Sequence, residues 1–172
     1  MWVICDDTNC HLFSSDDNGR LYRSQTPLAD FPAGMGEPVI VKSELSKYDL
    51  FEASNVYSID NSTYLLLVEC IGTESKRYFR SWTSNSIAGP WDALAAAEEH
   101  PFMGERNVVF QGPQWTMSIS HGEVIRTEVD QRLRINPHGI RYLYQGVDPT
   151  VNTNYNNLPW RLGLLTQVVE NL

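Results

Sequence analysis

No run of apolar residues in this 172-residue chain approaches the roughly 18 that a membrane-spanning helix requires. Positive charge is scarce: 13 Lys and Arg against 21 Asp and Glu leave a formal net charge of −8. A surface of that sign repels phosphate backbones and anionic lipid, so neither nucleic acid nor a membrane is expected as a partner. A neutral polymer such as a polysaccharide is compatible with it. Cysteine is limited to Cys5, Cys10 and Cys70. Their spacing fits no zinc motif and three cysteines define no disulfide framework, so they are expected to be buried thiols behaving as small hydrophobes. The opening "MWVICDD" is too short and too soon acidic to read as a signal peptide, and no export signal is expected in this chain. A phosphate-cradling glycine loop, a GxSxG elbow and a Cys/His dyad are all missing.

What is present is strand material. Hydrophobic residues make up 42% of the chain and aromatics 11%, enough for one globular domain with a sizeable core. "WVICDD", "HLFSS", "RLYRS", "PVIVKS", "NVYSI", "YLLLVECI", "RYFRSW", "TMSIS", "EVIRT", "IRYLYQG" and "LGLLT" are short and rich in β-branched and aromatic residues. Turn material such as "DDNG", "DNST" and "GTESK" separates them. "SDDNGR" predicts a hairpin turn in which Asn18 and Gly19 take positive φ. One stretch, "WDALAAAEEH" (91–100), predicts a short helix or turn ending at Pro101.

The chain also echoes itself. Residues 11–32 and 64–91 each run as an apolar strand, a polar turn, a strand with Arg-aromatic-Arg-Ser character, and a loop closing on Pro beside an aromatic. The pairs Arg23-Ser24 and Arg80-Ser81 mark the repeat, and residues 141–161 form a looser third copy. Recurring four-stranded units are the signature of a β-propeller. The expected fold is therefore all-β: a partial propeller of about three blades, each a four-stranded antiparallel sheet, occupying residues 1–172 as one incomplete domain. A strand that begins at residue 2 and too few units to close a ring lead to the expectation that the front of the domain is missing.

Several residues carry possible chemistry. Glu52, in "DLFEAS" (49–54), is charged where an apolar strand begins. It is either an ordinary solvent-facing strand residue or a general acid held in a partly desolvated funnel. Asp6 and Asp7 either initiate a turn or join Glu52 in a paired-carboxylate site; Asp16 and Asp17 read as turn residues. His121, in "SISHGEVIR", is either a hydrogen-bonded core histidine or a ligand for a metal or a substrate hydroxyl. His11, His100 and His138 carry no signal of their own. Tyr155, Asn156, Asn157, Trp160 and Arg161 gather in "NYNNLPWRLG" (154–163), which suits either a sugar-binding rim or a structured loop around a buried Trp.

The stretches "WVICDDTNCHLF", "GRLYRSQTPLADFP", "DLFEASNVY", "LLLVECIG", "RYFRSWTS", "SISHGEVIR", "YLYQGVDP" and "YNNLPWRLGLLT" follow one another in this order. In that succession the chain resembles glycoside hydrolase family 62, α-L-arabinofuranosidases that remove arabinose side chains from arabinoxylan. The resemblance implies a five-bladed propeller, of which this chain matches roughly blades three to five. It implies an inverting glycosidase, with Glu52 of the "FEA" motif as general acid and the base and a second Asp outside this chain. It further implies Tyr155, Asn156 and Arg161 as substrate-binding residues and His121 as a metal ligand. No cofactor is implied as required, although a structural calcium fits the resemblance, and the parent enzyme would be extracellular. "INPHG" (135–139) departs from the family pattern, which often has Cys after the Pro, so no terminal disulfide is expected there. Without its base the chain is expected to be inactive or nearly so. A non-catalytic xylan-binding half-propeller and a truncated gene product are the competing readings.

Overall fold

The alternation of β-branched and aromatic runs with Asp-, Asn- and Gly-rich turns leaves the chain little choice but strands. The computed structural model describes residues 1–168. Among them the strands are β1 (Trp2–Cys5), β2 (Asn9–Ser15), β3 (Arg20–Pro27), β4 (Val39–Ser43), β5 (Glu52–Ser58), β6 (Tyr64–Ile71), β7 (Arg77–Ser84), β8 (Asp92–Ala95), β9 (Ser120–Val124), β10 (Arg141–Gly146) and β11 (Arg161–Thr166). They form three antiparallel sheets in the orders β1-β2-β3-β4, β5-β6-β7-β8 and β11-β10-β9. The fold is all-β, as expected. The first two sheets have the expected four strands; the third has three among the described residues. The only helical turns described are three-residue 3₁₀ turns, and no helix is long and apolar enough to cross a membrane.

The internal echo is structural. The first copy builds the β2–β3 hairpin and the second the β6–β7 hairpin, the central pair of each four-stranded sheet. Arg23-Ser24 lies on β3 and Arg80-Ser81 on β7, while the looser third copy opens on β10 and reaches β11. The β2–β3 turn lies where "SDDNGR" places it, but Asp17 (φ 56°) and Gly19 (φ 84°) take the left-handed conformation, not Asn18. Gly19 is needed there, because a side-chain carbon would lie 2.9 Å from the Glu44 carbonyl oxygen.

Three local expectations are corrected. The stretch 91–100 forms strand β8 followed by bends rather than a helix. Its Ala and Glu favour helix, but the open edge of β7 pairs with it, Trp82 opposite Ala93 and Thr83 opposite Asp92, and the ladder overrides propensity. "TMSIS" and "EVIRT" are not two strands; one strand, β9, spans their junction. Cys5 and Cys10 are not free thiols but a disulfide. They are cross-strand partners in the β1–β2 register, with Cα atoms 4.0 Å apart, so pairing of the strands brings the sulfurs together. Cys70 does behave as a small hydrophobe: it is fully buried, and burial pushes its thiol up to about 12.

One core joins the sheets. Ile4, Phe13 and Leu21 from the first, Val56, Leu66, Val68 and Phe79 from the second, and Val124 and Tyr142 from the third belong to a single buried cluster. Aromatic edges lock the sheets together: Trp2 against Tyr57 at 5.3 Å and Phe79 against Tyr142 at 5.4 Å. Trp2 Nε1 donates to the Val56 carbonyl, and the Val124 N–H donates to the Tyr57 hydroxyl oxygen, each crossing from one sheet to another. The strands that open each sheet, β1, β5 and β9, therefore lie side by side, with β5 packed against both of the others.

Candidate active site

The starts of β1, β5 and β9 converge on one open cleft of about 380 Å³. Its walls include Met1 and Trp2, Glu52 to Asn55, and His121 and Gly122. Glu52 enters it through a backbone irregularity. Glu52 pairs with Glu69 across β5–β6, but the next register pair is Asn55 with Leu67, so Ala53 and Ser54 oppose Val68 alone. Ala53 sits at φ 50°, a left-handed conformation that costs an Ala roughly 1–2 kcal/mol. A bulge of this kind re-aims side chains at a strand end. Here it separates Glu52, whose side chain is 27% exposed, from the buried run Ser54–Tyr57.

Two carboxylates opposite one another across a ladder repel unless something positive stands between them. Arg77, which opens β7, supplies it. Its Nη1 donates to Glu52 Oε1 at 3.1 Å and to Glu69 Oε1 at 3.0 Å. The Phe51 ring lies 4.9 Å from the Arg77 guanidinium, so the residue before Glu52 stacks on the arginine that grips Glu52. His121 completes the group from β9. Its Nδ1 lies 2.9 Å from Glu69 Oε2 and its Nε2 lies 3.8 Å from Glu52 Oε2. The hydrogen bond to Glu69 raises His121 above the usual imidazole value, against the opposing pull of burial. Gly122 lets β9 lie close: a side-chain carbon there would collide with the Leu143 carbonyl and the Tyr142 ring. Glu69 itself is completely buried and also accepts from the Ser120 hydroxyl at 3.2 Å.

The structure thus brings together Glu52 and His121, two residues singled out by sequence, and joins to them Glu69, Arg77 and Ser120, which were not. His121 is not a core histidine, since its side chain is 44% exposed. Glu69 had one legible signal: a charge inside the apolar run "YLLLVECI" must have a buried partner.

Tyr155, Asn156 and Arg161 do not line this cleft. They lie at the corresponding end of the third sheet, where Arg161 pairs with Gly146 and Gln145 pairs with Ser120. All three are exposed. Tyr155 and Asn156 begin a 3₁₀ turn in which the Asn156 N–H donates to the Asn154 side chain, and the Tyr155 ring stands edge-on to Trp160 at 6.2 Å. Trp160 is only partly buried.

The acidic residues near the amino terminus take the turn role. Asp6 Oδ1 accepts from the N–H groups of Thr8 and Asn9 at 2.8 and 2.7 Å, and Asp16 Oδ1 accepts from Asn18 at 2.9 Å. Asp7 pairs with Arg132. Asp6, Asp7 and Asp16 do not join Glu52, whereas Asp17, at the β2–β3 turn, lines the same cleft. His11, which carried no signal, is 4% exposed and bridges Asp6 Oδ2 (3.1 Å) to Arg23 Nη1 (2.8 Å). Arg23 has only protons to give, so Nδ1 accepts and the Nε2–H donates to Asp6, which fixes a neutral imidazole. Burial correspondingly lowers His11 below its usual value.

Glu52, Glu69 and His121 each place a ligand atom within 4.8 Å of the others, the geometry of a possible cation site. The surroundings do not fit a three-donor cage. Arg77 already bridges the two carboxylates, Glu69 is committed to Arg77, Ser120 and His121, and a second cation there would face the guanidinium. His121 Nε2 faces the cleft with no hydrogen-bond partner among the described residues.

A model of glycosyl hydrolase family 62 matches residues 1–166. The chain is 44% identical over 167 residues to "Alpha-L-arabinofuranosidase C" of Cellvibrio japonicus, covering 95% of this chain and 27% of that protein. It superposes on the catalytic domain of the GH62 α-L-arabinofuranosidase of Coprinopsis cinerea with a TM-score of 0.94 at 62% identity, covering 97% of this chain and 53% of that one. A GH62 hydrolase solved in complex with xylotriose gives a TM-score of 0.92 at 58% identity, over 96% of this chain and 54% of that one. The chain spans about half the length of these solved relatives.

Proposed function

The chain belongs to glycosyl hydrolase family 62, and on that premise we propose that it carries the proton-donating side of an active site that removes arabinofuranosyl groups from xylan. The observation that carries this reading is Glu52: a carboxyl at the mouth of an open cleft, gripped by Arg77 and within 3.8 Å of His121. Glu52 protonates the glycosidic oxygen as the bond to the xylose unit breaks, and water attacks the anomeric carbon from the opposite face. Inversion of this kind places acid and base roughly 6.5–9.5 Å apart. Glu69 is no candidate for the base, because it is fully buried and its oxygens are occupied. The base, and the second Asp that assists it, are assigned to a part of the fold this chain does not span.

The substrate class is supported by the relatives: one is an α-L-arabinofuranosidase and another is complexed with xylotriose. Arabinoxylan is the natural polymer that joins the two. The acidic net charge suits such a neutral polysaccharide. Tyr155, Asn156 and Arg161, exposed at the same end of the third sheet as His121, are proposed to meet the polymer beyond the cleft. The side-by-side opening strands β1, β5 and β9 support a partial five-bladed propeller, with the three sheets as blades three to five and the cleft at its axis. The chemistry requires no cofactor. Calcium, which prefers oxygen, would take from these residues only His121 Nε2, and no step depends on it. The parent enzyme is proposed to be extracellular, where its polymer is.

Two measurements test this. The purified chain is expected to release arabinose from wheat arabinoxylan only at background rate; clear turnover would show that it holds its own base. In a chimera where residues 1–166 replace the matching part of the Coprinopsis cinerea enzyme, turnover is expected and Glu52→Gln should lower it by roughly 10²–10⁴-fold. Retained activity in that variant overturns Glu52 as donor.

A further inference from the structure

Nothing in the assigned chemistry accounts for Glu69. It is completely buried, lies in a strand of apolar neighbours, and spends its two oxygens on three donors from two strands: Arg77 on β7, Ser120 and His121 on β9. A carboxylate in such surroundings is costly unless its partners need it. Two of those partners are the groups that reach Glu52. Arg77 uses the same Nη1 for both carboxylates, at 3.0 Å to Glu69 and 3.1 Å to Glu52. His121 presents Nδ1 to Glu69 at 2.9 Å and Nε2 toward Glu52 at 3.8 Å.

We propose that Glu69 is a positioning residue that holds Arg77 on Oε1 of Glu52 and keeps the His121 ring beside Oε2, fixing the direction in which the donor presents its proton. Arg77 donates to Oε1 of Glu52, and His121 Nε2 stands 3.8 Å from Oε2, beyond a hydrogen bond, so rotation of the Glu52 carboxyl breaks its contact with Arg77. One buried anchor fixes both: Glu69 holds Arg77 at the same Nη1 that reaches Glu52, and holds His121 at the ring nitrogen opposite the one facing Glu52. The Phe51 ring lies against the Arg77 guanidinium at 4.9 Å and adds a second contact that holds it. The bulge at Ala53–Ser54 sets Glu52 apart from the regular β5–β6 ladder, so its side-chain direction rests on its own contacts. The inference rests on Glu52 being the proton donor.

The test uses Glu69→Gln, which keeps the shape and removes the charge, and Arg77→Lys, which keeps the charge but reaches only one carboxylate. Kinetics are read on two substrates: an arabinofuranoside of xylose, whose leaving group needs protonation, and 4-nitrophenyl arabinofuranoside, whose leaving group does not. Both variants are expected to lose roughly 10- to 100-fold in kcat on the first and much less on the second, with KM nearly unchanged. Equal losses on both substrates, or a loss in KM alone, overturn the inference in favour of a structural role. Glu52→Gln runs in parallel. If it fails to show the same leaving-group dependence, the donor assignment falls; if it shows it while the Glu69 and Arg77 variants do not, only the positioning role falls. Kinetics are measured in the purified chain and, where turnover is at background, in the chimera. A crystal structure of the Glu69→Gln chain supplies the readout that needs no turnover. Arg77 is expected to leave Glu52, and an unmoved Glu52 carboxyl with Arg77 still at about 3 Å would sink the proposal.

Discussion

His11 and His121 stand in chemically similar company and end in opposite conditions. Each has a carboxylate within about 3 Å and an arginine nearby. His11 is sealed between β1–β2 and β3, with Asp6 on one nitrogen and Arg23 on the other, so both ring positions are spent and burial favours the neutral form. His121 has one nitrogen on Glu69 and the other facing the cleft, is 44% exposed, and binds its proton more tightly than usual. The residue types do not separate structure from function here. What separates them is whether a polar atom remains unspent and reachable, and whether the surrounding charge includes one more carboxylate than the fold needs. Glu52 is that carboxylate.

The comparison breaks most sharply on turnover. In the chimera, Glu52→Gln is expected to lower arabinose release from arabinoxylan by roughly 10²–10⁴-fold, the usual worth of a general acid. Asp6→Asn, in the matching carboxylate of the other cluster, should leave the rate unchanged. A large loss from Asp6→Asn would mean that the Asp6–His11–Arg23 cluster also acts on the reaction.

Stability should show a different order. Arg77→Ala strands Glu69 in the core without its cation, and breaking a buried pair from one side costs about 3–5 kcal/mol. The urea midpoint measures it. Glu69→Gln added to Arg77→Ala should recover most of the loss, since no buried charge is then left unpaired. Removing the Cys5–Cys10 disulfide by a double Ser substitution opens only a short loop, and about 2 kcal/mol is expected on the same midpoint.

The contrast also shows what a sequence can say. The hairpins were legible because Asp side chains cap their own turns: Asp16, Asp60 and Asp148 each accept a backbone N–H two residues on. Glu52 and His121 were legible as charged or imidazole groups at strand starts, and the motifs around them gave them roles. Glu69 was hidden because a strand buried on both faces shows no alternation, and only its charge stood out from its neighbours. The disulfide was hidden for another reason: an odd count suggests free thiols, and only strand register shows that Cys5 faces Cys10. The stretch 91–100 misled because helix propensity is local while the empty edge of β7 is not. Tyr155, Asn156 and Arg161 are exposed, and nothing in the order of residues fixes how far they stand from Glu52.

The smallest effect separates the two clusters by pH. Burial acts to raise Asp6, but hydrogen bonds from the Asn9 and Thr8 N–H groups and from His11 outweigh it and bring the carboxyl down to about 2. A carboxyl whose folded value lies below its ordinary 3.8 contributes stability that is present above 3.8 and disappears as pH falls toward 2. His11, lowered from 6.5 by burial, works in the same direction: stability is present above that value and declines as acid forces a proton onto a ring that has no room for it. His121, raised by Glu69, has the opposite sign, and its contribution fades as pH rises through its folded value. Asp6→Asn is therefore expected to cost about 1 kcal/mol at neutral pH, discounted for the partial exposure of the carboxyl. It should cost almost nothing near pH 2. Thermal unfolding of both proteins from pH 7 to pH 2 checks this. Curves that stay parallel to pH 2 would show that Asp6 holds its turn by shape alone, and that His11 takes its fixed tautomer from Arg23.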